Sequence, residues 1–420
     1  MTKHLEERLS EALDAAAGTV PDTAVPPELF PAKPAAQRRW TPVLAIGLAM
    51  TAVVVAVAIP VAISRNRSAP PPAASMCPEP PAVEALTYEK REYAGSQDPA
   101  GSQYGELDKL PFGSPPRVPF VMAKDGPVNV TYLEDLGVRV PLPDRRLITS
   151  IGRVDCGWVV DRRTGADGDL PEIGVLSTDG SFRSFGRTTA EGASLSPDGS
   201  RLAYVAPEAG GKASVVTVSV ATGKRLAATP ASTTTEVAGW NSHGVWFLSD
   251  GAKYVTKMWE PGSAPVTVDT GKHRLTAYPG TDRMLLTDPE PVYTNEGSDA
   301  CVQVVTLGTA NKLQTVVEKC GGAGGTLSPD GSVLVAETGT IAQGYLVETG
   351  AKTGLNVSST IVTPDYAAIW EDPNHVLSAA SLGSSDRVFT TRCNVRTGAC
   401  ERIQDGPESS VIVGPDLGRP

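Results

Sequence analysis

The sequence predicts an all-β fold, a seven-bladed β-propeller with six or eight blades as alternatives, preceded by one transmembrane helix and a short N-terminal cytoplasmic helix. Three observations predict it. The 420 residues hold 42 Gly and 36 Pro but only 5% aromatics, a composition of many short elements joined by tight turns. From residue 82 onward, short runs of Val, Ile, Leu, Tyr and Thr are interrupted by Gly, Pro, Asp and Asn, without long helical periodicity. Hairpin-like turns recur at Gly137, Gly180, Gly223, Gly262, Thr309, Gly354 and Gly398, in steps of 43, 43, 39, 47, 45 and 44 residues. Seven hairpins at one period make a repeat architecture.

The first element is a short amphipathic helix in the tail 1–40. Leu5, Leu9, Leu13 and Ala16 fall near one face, and Gly18 and Pro21 stop it. A proline-rich tether leads to residues 41–64, TPVLAIGLAMTAVVVAVAIPVAIS, which carry no charge and are long enough to cross a bilayer core as a helix. A buried globular helix and a cleaved signal peptide are the competing readings; the run is long and starts too late for the second. Lys33, Arg38 and Arg39 precede the span and Arg65 and Arg67 follow it, a slight bias toward an inside N-terminus. All six cysteines lie after the span, which fits disulfides in an oxidising compartment and an extracytoplasmic C-terminal part. Residues 65–81, SAPPPAASMCPEPP within them, read as a Pro-rich linker, and residues 82–420 as the propeller domain.

The blades are read from paired turns. LSPDGS occurs at 195–200 and again at 327–332, 132 residues or three units of 44 apart. Pro197 and Pro329 preset the second position of a type I turn, Asp198 and Asp330 suit the third, and Gly199 and Gly331 accept a positive φ. Partner turns are expected at NSHG from Asn241, PGTD from Pro279 and EDPN from Glu371, with weaker ones near Gly113 and Gly152. Two hairpins per unit give four strands, the content of a propeller blade; a sandwich or solenoid is the structural alternative. Strands near 86–93 or 410–413 could complete an end blade. The stretches LSPDGSRLAYVA with VVTVSVATGK, and LSPDGSVLVAET with YLVETGAKTG, resemble the blade signature of TolB-like and WD-repeat-like propellers. Covering about residues 117–404, the resemblance implies the fold, in a membrane-anchored protein of bacterial type, and says little of function.

Six cysteines supply the candidate staples. Cys393 and Cys400 sit symmetrically about the turn at 396–398, and Cys301 and Cys320 flank the hairpin near Thr309, so antiparallel pairing brings each pair within disulfide reach. By elimination Cys77 pairs with Cys156; free thiols or an intermolecular bond through Cys77 compete. Catalytic signals are scarce. Of four histidines, His4 lies in the tail, and His243 and His375 fall in or beside turns; neither HExxH nor GxSxG occurs. GGAGG at 321–325 precedes no helix, so it reads as a passage between blades and not as a phosphate cradle. Asp167, Asp169 and Glu172 lack the spaced ligand series of a calcium loop. Asn129 and Asn356 open glycosylation sequons that carry no weight without a known host. No catalytic residue, cofactor or metal ligand is assigned.

Charge bounds the partners. The net charge is −10; residues 1–40 hold five Lys+Arg and six Asp+Glu, so nine of the ten fall beyond them. An acidic domain disfavours nucleic acid. The reading is a single-pass cell-membrane protein, N-terminus cytoplasmic, whose extracytoplasmic propeller binds a protein, peptide or envelope ligand without catalysis. One alternative is a signalling receptor, similar in outline to transmembrane anti-sigma regulators, with a cytoplasmic protein docked on the N-terminal helix; no cysteine lies on the inner side, unlike their zinc-binding subgroup. A propeller enzyme of lactonase or quinoprotein type is the third.

Overall fold

The structure, a computed structural model, describes residues 107–407 except 108, 125–129, 143–146, 164–169, 190–191, 250–254, 289–292, 295–296, 299, 323, 360, 363–367 and 382–386. The N-terminal helix, the apolar span 41–64, the linker, Cys77, Asn129, Asp167, Asp169 and the strands expected near 86–93 and 410–413 lie outside the described residues. Among the described residues no helix is long and apolar enough to cross a membrane.

The described chain is a β-propeller. A three-stranded sheet comes first: β1 (Phe120–Lys124), β2 (Val130–Asp135) and β3 (Val138–Leu142). The first four-stranded blade is β4 (Leu147–Val154), β5 (Gly157–Arg163), β6 (Glu172–Ser177) and β7 (Phe182–Arg187). The second is β8 (Ala193–Leu195), β9 (Arg201–Glu208), β10 (Lys212–Ser219) and β11 (Arg225–Ala231); the third is β12 (Glu236–Asn241), β13 (Gly244–Ser249), β14 (Val255–Trp259) and β15 (Val266–Val268). In the fourth, β16 (Arg274–Ala277) and β17 (Met284–Thr287) are followed by a small hairpin, β18 (Tyr293–Thr294) and β19 (Gly297–Ser298), before β20 (Cys301–Leu307) and β21 (Leu313–Cys320). The fifth is β22 (Gly325–Leu327), β23 (Val333–Thr338), β24 (Ile341–Leu346) and β25 (Lys352–Ser358), and the sixth β26 (Ala368–Asp372), β27 (His375–Ser381), β28 (Arg387–Asn394) and β29 (Cys400–Pro407). Every strand pair is antiparallel, in sequence order within each blade. Six blades of four strands are therefore present among the described residues, the lower of the alternatives that the sequence left beside seven.

Burial separates inner from outer strands. In β24, the pattern from Ile341 buries Ala342, Gln343, Gly344 and Tyr345, while outer strands such as β11 and β21 bury one residue and expose most of the rest. First strands of neighbouring blades approach one another, β4 beside β8, β8 beside β12 and β12 beside β16, so each first strand is innermost and each fourth outermost. The core lies between blades. Val159, Ile173 and Val175 of the first blade pack on Leu202, Tyr204, Val216 and Val218 of the second; Trp240, Val245, Phe247 and Trp259 of the third pack on Ala203, Val205 and Val215. At about 25 cal/mol per Å² of apolar surface, such blade-on-blade contact is the main driving force for the fold. The three-stranded sheet packs on both sides: Phe120 meets Leu377, Ile403 and Ile369 of the sixth blade, while Leu133, Val140 and Leu142 meet Trp158, Val160 and Leu176 of the first.

Most expected turns stand where the spacing put them, and three do not. Gly354 lies inside β25; the turn between β24 and β25 falls four residues earlier at Gly350, whose φ of 65° closes it. Gly354 serves a different end. A Cβ there would meet the Arg396 carbonyl oxygen at 2.6 Å, so its bare backbone lets the fifth blade approach the sixth and donate the Gly354 N–H to Arg396 O at 2.8 Å. Gly152 sits at a bulge within β4, between Ser150 and Gly152 against β5. Gly113 belongs to no hairpin, since Phe112 forms a parallel bridge with Arg402 on the outer edge of β29.

Candidate functional site

The two LSPDGS turns join first to second strands, β8 to β9 and β22 to β23, and build one network twice. In the second blade, Ser196 Oγ donates to Asp198 Oδ1 at 2.5 Å, the Ser200 N–H donates to the same oxygen at 3.1 Å, and the Arg201 N–H donates to Ser196 Oγ at 3.0 Å. In the fifth blade the bonds are Ser328 Oγ to Asp330 Oδ1 at 2.7 Å, Ser332 N–H to Asp330 Oδ1 at 3.0 Å and Val333 N–H to Ser328 Oγ at 2.9 Å. Gly199 and Gly331 have φ of 69° and 72°, and each donates its N–H to the Ser four-residue-turn carbonyl, Ser196 O or Ser328 O, at 2.8 Å. Pro197 and Pro329 stand at the positions where φ near −65° is needed. The Ser196 hydroxyl, then the Ser200 N–H and hydroxyl, hold the Asp198 carboxyl down at about 2. Burial pushes the Asp330 carboxyl up, but Ser328 and Ser332 outweigh it and leave it lowered. The third and fourth blades lie between these turns, so the two copies form no common site.

Turns of adjacent blades are tied to one another on this face. Arg283, before β17, donates to Gly331 O at 2.7 Å; Arg396, in the β28–β29 turn, donates to Asn374 Oδ1 at 2.8 Å and Ser332 Oγ at 3.1 Å; Ser242 donates to Asp282. Polar side chains here are spent on joining blades.

A denser charged cluster sits where residues 111–118 cross the sixth blade. The Arg392 guanidinium, 5% exposed, meets the fully buried Glu371 carboxylate, with Nε to Oε2 at 2.7 Å and Nη2 to Oε1 at 2.8 Å. Its Nη1 donates to Glu401 Oε1 at 2.6 Å and to Ser114 O at 3.1 Å, and its Nη2 donates to Pro115 O at 2.9 Å. Arg117 adds its backbone N–H to Glu371 and an ion pair at 3.5 Å. Arg153, at the end of β4, donates to Arg117 O and pairs with Asp135, which also accepts the Trp158 indole N–H at 2.6 Å. Burial lowers the Arg392 pKa but Glu371 and Glu401 outweigh it, so the guanidinium stays charged. Held by several charged and backbone partners, such a buried pair fixes geometry. It joins the incoming chain, the sixth blade and the first.

His375 belongs to the same corner. Asn394 Oδ1 accepts the N–H groups of Arg396 and Thr397, both at 3.0 Å, so its Nδ2 faces His375 Nε2 at 3.2 Å as donor. His375 Nδ1 therefore carries the proton and donates to Asp372, at 2.9 and 3.0 Å. Among the described residues the ring's hydrogen-bond partners are Asp372 and Asn394, and the imidazole orders a turn. His273 and His243 lie at other blades, His243 in the β12–β13 turn.

Cys301 faces Cys320 across β20 and β21 with Cα atoms 4.0 Å apart, and Cys393 faces Cys400 across β28 and β29 at 4.1 Å; both pairs are disulfides. Cys156 is disulfide-bonded, and Cys77, expected as its partner, lies outside the described residues. Cys301, Cys320 and Glu318 cluster closely enough for a metal, but the disulfide leaves neither thiolate free to ligate. Glu172 pairs with Arg162 at 2.6 Å. A shallow cavity of about 230 Å³ opens between the first two blades, lined by Phe185, Arg187, Tyr204, Pro207 and Arg225 among others; Tyr204 Oη donates to Phe185 O at 3.1 Å, and Arg225 is held by Glu208 at 2.8 Å.

The Arg392 cluster was missed in the sequence, although Arg392 and Glu401 flank Cys393 and Cys400 and are cross-strand partners. That signal was available. Glu371, Arg117 and Arg153 come from remote segments that only ring geometry unites.

The two ends of the blades differ. Connections from first to second and third to fourth strands are short: residues 155–156, 178–181, 196–200, 242–243 and 373–374 are examples. Second-to-third connections at the other end vary, from residues 339–340 between β23 and β24 to 164–171 between β5 and β6 and 288–300 between β17 and β20. The latter end is the loop face, the former the turn face.

No known family profile matches this chain, and no curated protein does. Among solved structures it is similar to TolB from Acinetobacter baumannii, at 13% identity and a TM-score of 0.41 over 72% of this chain and 68% of that one. It is similar to the β-propeller domain of Cps50 (Swd1) from Myceliophteria thermophila, at 14% identity and 0.40 over 63% and 89%. A third is an oligogalacturonate lyase in complex with manganese, at 12% identity and 0.45 over 66% and 87%.

Proposed function

We propose that this chain is a non-enzymatic, single-pass membrane protein that displays its propeller outside the cell membrane, N-terminus in the cytoplasm, and binds a protein, peptide or envelope ligand on the loop face. The observation that carries the reading is the asymmetry between the two ends of the blades. Turn-face side chains are committed to Asx networks and inter-blade bonds, whereas the loop-face connections differ from blade to blade in length. Differences between repeats on one face are where a rigid scaffold carries specificity. Those connections are also acidic, with Asp167, Asp169, Glu290, Glu296, Asp299 and Asp386, which favours a partner with basic groups. The charge-free run 41–64 supports the anchor. The three-stranded sheet holds a seventh place in the ring, a reading supported by its contact with the sixth blade through Phe120 and with the first through Leu133 and Val140.

A second reading rests on the apolar spacing of Leu5, Leu9 and Leu13, which suits docking of a cytoplasmic regulator in the manner of an anti-sigma factor. Photo-crosslinking in membranes tests the first. Crosslinkers at Asp167 and Asp299 give partner adducts outside the cell, and crosslinkers at Asp198 and Thr397 do not. Equal labelling from both faces, or from neither, overturns the loop-face assignment. Adducts from Leu9 that change when the outer partner is removed establish the second reading.

A further inference from the structure

We propose that the seam between the first and second blades is a docking cleft for an acidic segment of a partner protein, which seats one apolar side chain between Phe185 and Tyr204 and sets a neighbouring carboxylate on Arg187. This partner is distinct from the basic one expected on the loop face. Local backbone geometry makes the cleft. β7 carries a bulge: Ile173 faces Gly186 and Gly174 faces Ser184, leaving Phe185 without a cross-strand partner, and a bulge re-aims a side chain. Phe185 packs at the edge of the cluster that holds Tyr204, Val216 and Val218 of the second blade. Gly186 and Gly223, both at positive φ, also line the space, and a Cβ on them would approach Tyr204 Oη and the Phe185 ring, each at 3.2 Å. Ala206, Pro207, Arg187 and Arg225 complete the lining of the cavity of about 230 Å³.

The corresponding seam between the fifth and sixth blades is shut. β25 also bulges, with Gln343 facing Asn356 and Tyr345 facing Lys352, but there Gly354 lies against Arg396 and Thr397 of the sixth blade and Leu355 is fully buried. Phe185 stays only partly buried, so the opening belongs to these residues and not to the fold. Its size selects the occupant. A volume of about 230 Å³ falls below the roughly 300–1,000 Å³ of pockets that enclose whole small molecules, and it suits one side chain of a segment that continues over the surface. Charge selects that side chain's neighbours. The Arg183 guanidinium lies over the Phe185 ring at 5.1 Å and donates to Val220 O, and Arg225 is held by Glu208. The exposed Arg187 guanidinium makes no hydrogen bond or ion pair among the described residues. In a chain of net charge −10, three guanidinia against the Glu208 carboxylate make a local excess of positive charge, and that complements an acidic segment.

Fluorescence anisotropy on the full-length protein tests the cleft, with a fluorescein-labelled peptide that carries one phenylalanine flanked by glutamates. The expected result is saturable binding that weakens by about tenfold or more in Arg187→Glu, is largely kept in Arg187→Lys, and weakens similarly when glutamines replace the peptide's glutamates. Both substitutions fall on an exposed residue, and unchanged denaturant midpoints check that the variants fold. A photoreactive benzophenone in place of the phenylalanine locates the occupant on the wild-type protein, where adducts on residues 185–187 or 204–207 are expected. Equal binding by wild type and Arg187→Glu overturns the proposal, as do equal affinity for the glutamine peptide, adducts confined to the loop face, or absence of binding. Displacement of the peptide by an equal concentration of phenylacetate overturns the peptide occupant in favour of a small carboxylate.

Discussion

Asp198 shows how one residue type is used for shape. Its carboxylate accepts from Ser196 and Ser200 within a solvated turn, and these donors favour the ionised form, bringing its pKa from 3.8 to about 2. A carboxyl whose folded pKa is depressed stabilises the fold above its unfolded pKa and loses that contribution as pH falls through the folded value. The window is therefore about pH 4 down to 2. Asp198→Asn keeps one acceptor oxygen and removes the charge and the second. It should cost about 0.5–1 kcal/mol at neutral pH, at the lower end for hydrogen bonds because the turn is solvated. Denaturant unfolding across pH should show the gap between the two proteins constant from pH 7 to about 4 and closing by pH 2. A gap independent of pH would mean that the charge contributes nothing and that Asp198 acts through turn propensity alone.

At the scale of elements, both described disulfides join a third strand to a fourth, directly across the ladder. They staple outer hairpins, which bury the least apolar surface and have most to gain from a covalent tie. The closed loops differ, with 19 residues of separation for Cys301 and Cys320 and 7 for Cys393 and Cys400. If closure of the unfolded chain dominates, the longer loop contributes more, about 3.3 against 2.5 kcal/mol. Paired replacements Cys301→Ala with Cys320→Ala, and Cys393→Ala with Cys400→Ala, measured by denaturant unfolding, should order that way. The reverse order would place the stabilisation in the native packing, where Cys393 is fully buried in the sixth-blade core. Symmetry about a turn is what made these pairs legible in sequence: a hairpin places residues equidistant from its turn opposite each other. Hairpin periodicity likewise exposed the third-to-fourth-strand turns at Gly180, Gly223, Gly262 and Gly398. It misplaced Gly354 because a glycine required for blade contact and a glycine required for a turn are the same letter. The Arg392 and Glu371 pair was illegible because its partners are joined by ring geometry and not by local register.

For the whole molecule, a propeller divides its work between two faces. On the turn face, adjacent blades are linked through Arg283 to Gly331, Arg396 to Ser332 and Ser242 to Asp282; on the loop face, connections range from residues 339–340 to 288–300. The sequence period follows from the first face, since turn chemistry must be repeated wherever the same bonds are remade. Blade number was harder to read, because the first hairpin at Gly137 belongs to a sheet of three described strands. The division predicts opposite tolerances. Loop-closure entropy rises slowly with length, by about 0.6 kcal/mol per doubling, so five Gly-Ser residues inserted between Asn295 and Glu296, in the β17–β20 connection, should cost under about 1 kcal/mol. The same insertion between Asp198 and Gly199 breaks the bonds among Ser196, Asp198, Ser200 and Arg201 and should cost about 2–4 kcal/mol, given roughly 1 kcal/mol for each bond lost. Denaturant midpoints of the two insertion proteins measure this directly, and equal losses would mean that the turn face is no more constrained than the loops.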